Sequence, residues 1–91
     1  MKVFFKPSFN KDYNKLPSEI QKEVYSICAE TFPKLKSLQD FKNLSIKQMT
    51  GFQHYYRITI GDYRIGFKKV DSEQIEFMRV KHRKDIYKYF P

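Results

Sequence analysis

The sequence predicts an α+β domain in which two N-terminal helices pack on one face of an antiparallel sheet. Residues 55–70 alternate apolar and polar side chains on both sides of Gly61-Asp62, which is the pattern of two half-buried strands joined by a tight turn. Residues 8–32 instead repeat their apolar side chains at helical spacing. Because the helical segments precede most of the strands, we expect helices and sheet to form separate layers.

The first predicted elements are a short strand and a short helix. The strand covers Lys2–Lys6 and is ended by Pro7. Ser8 is expected to cap the helix, because its side-chain oxygen can accept a hydrogen bond from a free N–H of the first turn. The buried stripe of this helix is predicted to contain Phe9, Tyr13 and Leu16.

A second helix is predicted from Ser18, which forms a capping-box pattern with Gln21. Pro33 ends this helix, and its buried stripe is predicted to contain Ile20, Val24, Ile27 and Thr31. Cys28 lies beside the stripe and is interpreted as a small core residue, since no histidine is near it in sequence to activate a thiol. Weaker apolar spacing indicates a further turn around Leu35, Leu38 and Phe41.

The hairpin over residues 55–70 has two chemically different faces. With Gly61-Asp62 as the loop, one face carries Tyr56, Ile58, Ile60, Tyr63, Ile65 and Phe67, and it must be the core face. The opposite face carries Arg57, Arg64 and Lys68, and Gly66 is expected to leave an open gap beside Arg57. Cations around a gap suit a phosphate group, with ordinary solvated sheet positions as the competing interpretation.

Shorter elements are predicted on either side of the hairpin. Residues 46–49 are expected to form a strand that leaves through a turn at Thr50-Gly51. Residues 74–80 have apolar side chains on both faces, which is typical of a strand inside a sheet. Residues 84–90 form a basic and aromatic tail that is expected to be helical.

The composition indicates a single domain, residues 1–91, with a polyanionic partner. The net charge is +8 and every arginine lies in the second half of the chain, which favours nucleic acid or an acidic protein over a charge that only aids solubility. The single cysteine favours a reducing, cytoplasmic setting. No apolar run approaches the roughly 20 residues that span a bilayer, so no membrane partner is expected.

The candidate catalytic residues are basic and aromatic. His54 and His82 are isolated and no group of residues has metal-ligand spacing, so neither a metal nor a cofactor is predicted. The basic and aromatic residues fit cleavage of RNA by its own 2′-oxygen, in which cations stabilise charge at phosphorus while other groups move protons. Arginines suit the stabilisation of charge, and His82 and Tyr87 are the candidates for proton transfer.

Two segments of the chain, Tyr55–Ile65 and Arg79–Tyr87, resemble the RelE branch of the RelE/ParE toxin superfamily. The resemblance extends over the chain in length and element order. It implies a fold like that of microbial RNases, cleavage of mRNA on the ribosome, and inhibition by a cognate antitoxin protein. The implied partners are therefore that antitoxin, the ribosome and mRNA.

By position, the resemblance implies a catalytic set of Arg57, Arg64, His82 and Tyr87. The two arginines would neutralise the scissile phosphate, and the other two residues would transfer protons. Further contacts with RNA are expected from Lys47, Tyr55, Lys68, Lys81 and Arg83. Arg57 falls where the family has the first of two strand lysines, and uncharged Thr59 stands at the second, so the catalytic set is incomplete there.

Two other functions fit the same fold. One is a non-catalytic inhibitor of DNA gyrase in the manner of ParE. The uncharged residue Thr59 favours this function, whereas the proton-transfer candidates His82 and Tyr87 argue against it. The other is an inactive relative that only binds its antitoxin. Expression of the chain alone separates the three functions by mRNA cleavage, DNA damage or the absence of any effect.

Overall fold

The computed structural model describes residues 1–37 and 45–91, so the turn predicted at Leu38 and Phe41 lies outside the described residues. Within these ranges the elements, in chain order, are β1 (Lys2–Phe5), α1 (Pro7–Asn14), α2 (Ser18–Tyr25), β2 (Ser45–Gln48), β3 (Tyr55–Ile60), β4 (Tyr63–Lys69), β5 (Gln74–His82) and α3 (Ile86–Tyr89). After α2 the chain continues through a π-helical turn at Ser26–Thr31 and a 3₁₀ turn at Phe32–Lys34. None of the described helices is long and apolar enough to cross a membrane.

The five strands form one sheet in the order β1-β5-β4-β3-β2, and α1 and α2 lie on one face of it. The predicted α+β class is confirmed, and so is the interior position of β5. The sheet is mixed and not wholly antiparallel, because β1 pairs with β5 in parallel. Alternation of side chains predicts that a strand exists but not its direction, which long-range packing decides.

The predicted hairpin register is confirmed. Ile60 pairs with Tyr63, Ile58 with Ile65, and Tyr56 with Phe67 across β3 and β4. The turn places Gly61 at φ 53°, a left-handed conformation that glycine adopts without a Cβ clash. The alternating apolar side chains therefore enter the core from one face of the hairpin.

The core lies between the helices and this face of the sheet. The helical side contributes Phe9, Val24, Cys28 and Phe32, and the sheet contributes Ile58, Ile60, Ile65, Phe67, Ile75, Phe77 and Val80. A bulge at Met78 in β5 allows both Phe77 and Val80 to point inward although they are three residues apart. Cys28 is buried as predicted, and burial raises the pKa of its thiol, which disfavours the reactive thiolate.

Both predicted serine caps are wrong. The first helix begins at Pro7, and Ser8 lies inside it with its hydroxyl donating to the carbonyl of Met78 on β5 at 2.8 Å. At the second helix, Gln21 donates to the Tyr13 carbonyl at 2.8 Å instead of reaching back to Ser18. In each case a contact with a neighbouring element replaces the local cap, and these contacts fix α1 against β5 and α2.

Candidate nucleic-acid interface

The face of the sheet opposite α1 and α2, called the outer face here, is basic. Strand register places side chains from four strands on it: Lys47, Tyr55, Arg57, Thr59, Arg64, Gly66, Lys68, Glu76, Arg79 and Lys81. Cations therefore outnumber carboxylates on this face. Such a surface attracts a phosphodiester backbone.

A groove of about 420 Å³ crosses one end of the outer face. It is lined by Lys47, Gln48, Met49, Thr50, Arg57 and Tyr87. Lys47 and Arg57 are directly paired across β2 and β3, so their side chains leave the sheet on the same face. Tyr87 comes from α3 and is largely exposed. The groove thus combines two cations with a phenol that solvent and ligands can reach.

Thr59 holds the guanidinium of Arg57. The Nη1 atom of Arg57 donates to the Thr59 hydroxyl at 3.0 Å, and the two residues are neighbours on the outer face of β3. Thr59 brings no charge, but its hydroxyl limits the directions that Arg57 can take. The uncharged residue at this position is therefore a support for the cation beside it.

The open gap predicted beside Arg57 is filled. Phe90 packs on Gly66, where an added Cβ would lie 2.6 Å from the Phe90 Cγ atom. Its ring also meets Tyr55, with 5.9 Å between centroids, and both Phe90 and Ile86 are buried. The tail residues 86–90 therefore pack on the outer face, and this packing places Tyr87 in the groove.

We expect Gly66→Ala to expel Phe90 and to lower the free energy of unfolding by about 1–3 kcal/mol, because the added methyl overlaps the ring. Urea denaturation measures this loss. Phe90→Ala removes the ring that clashes, so the double variant should be no less stable than Phe90→Ala alone. If the losses of the two single variants instead added up in the double variant, Phe90 would not be packed against Gly66.

Lys81 and Arg79 are engaged by Asp12, a buried carboxylate of α1. Arg79 donates to it through Nε at 2.8 Å and Nη2 at 3.0 Å, and Lys81 Nζ lies 3.3 Å away. The backbone N–H of Val80 also donates to Asp12, at 3.2 Å. On the other side, both cations lie over the ring of Tyr89, at 4.9 Å and 4.5 Å from its centroid. This cluster joins α1, β5 and α3.

The remaining predicted RNA contacts lie elsewhere on the outer face or at its ends. Arg64 turns toward the hairpin loop, where its Nη1 donates to the carbonyls of Gly61 at 2.8 Å and Tyr63 at 2.9 Å. Arg83 lies beside Asp62 at the same end, at 3.5 Å, in an exposed ion pair. Lys68 lies over the Tyr55 ring at 5.7 Å. None of these three cations lines the groove of Lys47, Arg57 and Tyr87.

His82 lies on the opposite face of the sheet from Arg57. It pairs with Tyr63, whose side chain is on the core face, and the two rings are 5.5 Å apart. Its Nδ1 accepts a hydrogen bond from the backbone N–H of Lys84 at 3.2 Å. The structure thus brings Arg57 and Tyr87 to one groove and keeps His82 away from it.

Sequence reasoning missed two residues of this surface. In the sequence, Asp12 looks like an ordinary polar residue of a helix. Its role as an acceptor for β5 becomes visible only in the structure, where it is buried against that strand. Phe52 follows the Thr50-Gly51 turn and is 49% exposed beside Tyr55. In residues 1–37 and 45–91, no group of three or more His, Cys, Asp or Glu is placed to hold a metal ion.

Residues 3–87 match the family model of the ParE toxin of the type II toxin–antitoxin system parDE. The chain is also 46% identical to Toxin RelE3 of Methanocaldococcus jannaschii over 91 residues, which is the full length of both chains. These matches extend over β1 to α3 and include the groove.

Solved structures resemble the whole fold. The RelB–RelE antitoxin–toxin complex from Methanococcus jannaschii matches with a TM-score of 0.79 and 44% identity, covering 98% of this chain and 100% of that one. The isolated RelE toxin of E. coli matches with a TM-score of 0.66 and 15% identity, covering 89% of this chain and 82% of that one. At 15% identity, the match to the E. coli toxin shows a similar fold alone.

Proposed function

The chain belongs to the RelE/ParE superfamily of type II toxins, and on that premise we propose that it is an endoribonuclease that cleaves mRNA on the ribosome. The observation that carries this proposal is the groove in which Arg57, Lys47 and the phenol of Tyr87 meet. The groove offers cations that can stabilise charge at phosphorus and a phenol that can transfer a proton, which are the two tasks of RNA cleavage. The 46% identity to a toxin named RelE3 supports the same branch.

In the proposed reaction, the 2′-oxygen of a nucleotide attacks the adjacent phosphorus, and the bond from phosphorus to the 5′-oxygen breaks. Arg57, oriented by Thr59, and Lys47 stabilise the negative charge that builds up on the phosphoryl oxygens. Tyr87 donates its proton to the departing 5′-oxygen, while the proton of the 2′-hydroxyl passes to water. The products are a 2′,3′-cyclic phosphate and a free 5′-hydroxyl.

The other predicted residues take supporting parts in this proposal. Arg64 and Arg83, at the hairpin end, would contact phosphates further along the message, as would Lys68. Lys81 would hold α3 in place together with Arg79, because its charge is shared with Asp12 and the Tyr89 ring. His82 would act only if substrate reached the other face of the sheet.

The proposed partners are the ribosome with its message, and a cognate antitoxin. Related toxins have been crystallised with RelB antitoxins, including the one from Methanococcus jannaschii. The charge of +8 suits an acidic antitoxin segment whose apolar side chains cover part of this surface. A cytoplasmic location goes with these partners, because translation takes place there.

Gyrase inhibition is the second candidate, since the matched family model is that of ParE.

We expect induction of the chain alone in a bacterial host to arrest growth and to produce new 3′ ends within the codons of an abundant message. Primer extension measures them, and they should disappear when translation initiation is blocked. Arrest with intact mRNA and DNA damage would favour gyrase, and harmless expression would favour a chain that only binds antitoxin.

A further inference from the structure

We propose that Phe52 is the stacking platform for an unpaired nucleobase of RNA, at the end of the groove where Arg57 and Lys47 hold the phosphate. The inference rests on the proposed function for the identity of the ligand, and it adds a base-binding subsite to it. Phe52 lies in the connection between β2 and β3 and does not line the groove itself.

Backbone hydrogen bonds place Phe52 beside the groove. Met49 and Thr50 line the groove, and the N–H of Phe52 donates to the carbonyl of Met49 at 3.1 Å. The N–H of Met49 in turn donates to the carbonyl of Tyr55 at 2.8 Å, which closes the connection into a narrow loop. Gly51, at φ 80°, supplies the left-handed residue of that loop. The chain therefore leads directly from the groove to the ring.

Phe52 packs against a neighbouring ring, although about half of the residue's surface is exposed. It meets Tyr55 edge to face, with 6.4 Å between centroids and 82° between planes. Tyr55 is itself held by Phe90 at 5.9 Å and lies under Lys68. A ring fixed in this way offers apolar surface to a ligand with a small loss of side-chain entropy.

The surroundings of Phe52 favour a nucleobase over an apolar protein segment. Tyr55 and Arg57 are two residues apart on the outer face of β3, and Lys68 faces Tyr55 from β4. A nucleotide presents a flat aromatic base close to a negative phosphate, which matches an aromatic ring close to cations. Phe4 is as exposed, at 48%, but lies on edge strand β1 at the far side of the sheet.

The test uses tryptophan fluorescence, because the chain contains no tryptophan. In the full chain, Phe52→Trp introduces a single reporter at the platform, and Phe4→Trp provides the matched control. The probe is a short single-stranded oligoribonucleotide with a 2′-O-methyl group on every ribose, which removes the attacking hydroxyl. We expect this RNA to quench the emission of Phe52→Trp and to leave that of Phe4→Trp unchanged.

Affinity gives a second measurement with the same RNA. Phe52→Leu keeps an apolar side chain but loses the aromatic face, and we expect its binding to weaken about tenfold. Phe52→Tyr should bind as the natural chain does, and Phe4→Leu should have no effect. Absence of binding, binding without quenching of Phe52→Trp, or equal affinity of Phe52→Leu would each overturn the subsite.

The subsite and the nuclease can fail separately. If the modified RNA quenches Phe52→Trp and mRNA nevertheless stays intact on induction, the subsite stands and the nuclease is wrong. If mRNA is cleaved and the modified RNA leaves the emission unchanged, the nuclease stands and the subsite is wrong.

Discussion

Replacing Asp12 by alanine should lower the free energy of unfolding by about 3 kcal/mol. The carboxylate is buried and accepts hydrogen bonds from Arg79 and from the backbone N–H of Val80, with Lys81 at 3.3 Å. Alanine would leave two cations and a buried N–H without their acceptor. Thermal or urea denaturation of the purified chain measures the loss.

The matched control is Asp62→Ala, which also removes a carboxylate paired with an arginine. Asp62 and its partner Arg83 are both exposed, and exposed pairs contribute about 0–1 kcal/mol. Asp12→Asn should fall between wild type and Asp12→Ala, because it keeps an acceptor oxygen but not the charge. Equal losses for Asp12→Ala and Asp62→Ala would contradict the role given to the buried carboxylate.

Replacing Arg57 by alanine should reduce the rate of mRNA cleavage on the ribosome about 10²–10³-fold without unfolding the chain. Its guanidinium lies in the groove beside Lys47 and Tyr87, where it would stabilise charge that develops at phosphorus. Single-turnover cleavage of a message on programmed ribosomes measures the rate. Circular dichroism checks that the variant is folded.

Three variants test whether the effect belongs to this position. Lys22→Ala removes the same charge from an exposed site on α2, at the other face of the sheet, and should cleave as wild type. Arg57→Lys should keep part of the rate, because the positive charge remains. Thr59→Val should lose part of it, because the hydroxyl that orients Arg57 is gone. A full rate for Arg57→Ala would remove Arg57 from the mechanism.

Local patterns were sufficient to predict the centre of the fold. Gly61 fixes a two-residue turn, and from that turn the alternation of residues 55–69 gives the register and the core face of β3 and β4. The same reasoning correctly placed Lys68 and Arg57 on the outer face. These features depend on near neighbours in sequence, which a single chain displays directly.

Contacts between distant segments account for what sequence reasoning missed. The Ser8 hydroxyl could cap its own helix, but the Met78 carbonyl, 70 residues away, takes its hydrogen bond. Phe90 and Gly66 meet only once the tail folds back over the sheet. The sequence offered no signal for either pairing, because each depends on how whole elements pack.

The position of His82 depends on the bulge at Met78, which sequence reasoning did not predict. Val80 is a core residue, and alternation along β5 then puts Lys81 on the outer face and His82 on the core side, opposite Tyr63. His82 was grouped with Tyr87 for its ability to transfer a proton and for its resemblance to a family position, and neither criterion shows which face of the sheet a side chain is on. Tyr87 reaches the groove because it belongs to α3, which follows the end of the strand.

The parallel pairing of β1 with β5 also bears on when the molecule becomes complete. Lys2 pairs with Gln74 and Phe5 with Phe77, so β1 can pair only after a segment about 70 residues further along the chain has been synthesised. Contacts this far apart in sequence make a chain slow to fold and keep apolar side chains exposed until the partner strand arrives. Tyr87 is made later still. The groove therefore cannot assemble before Tyr87 has been synthesised, and whatever the groove acts on meets it only after that point.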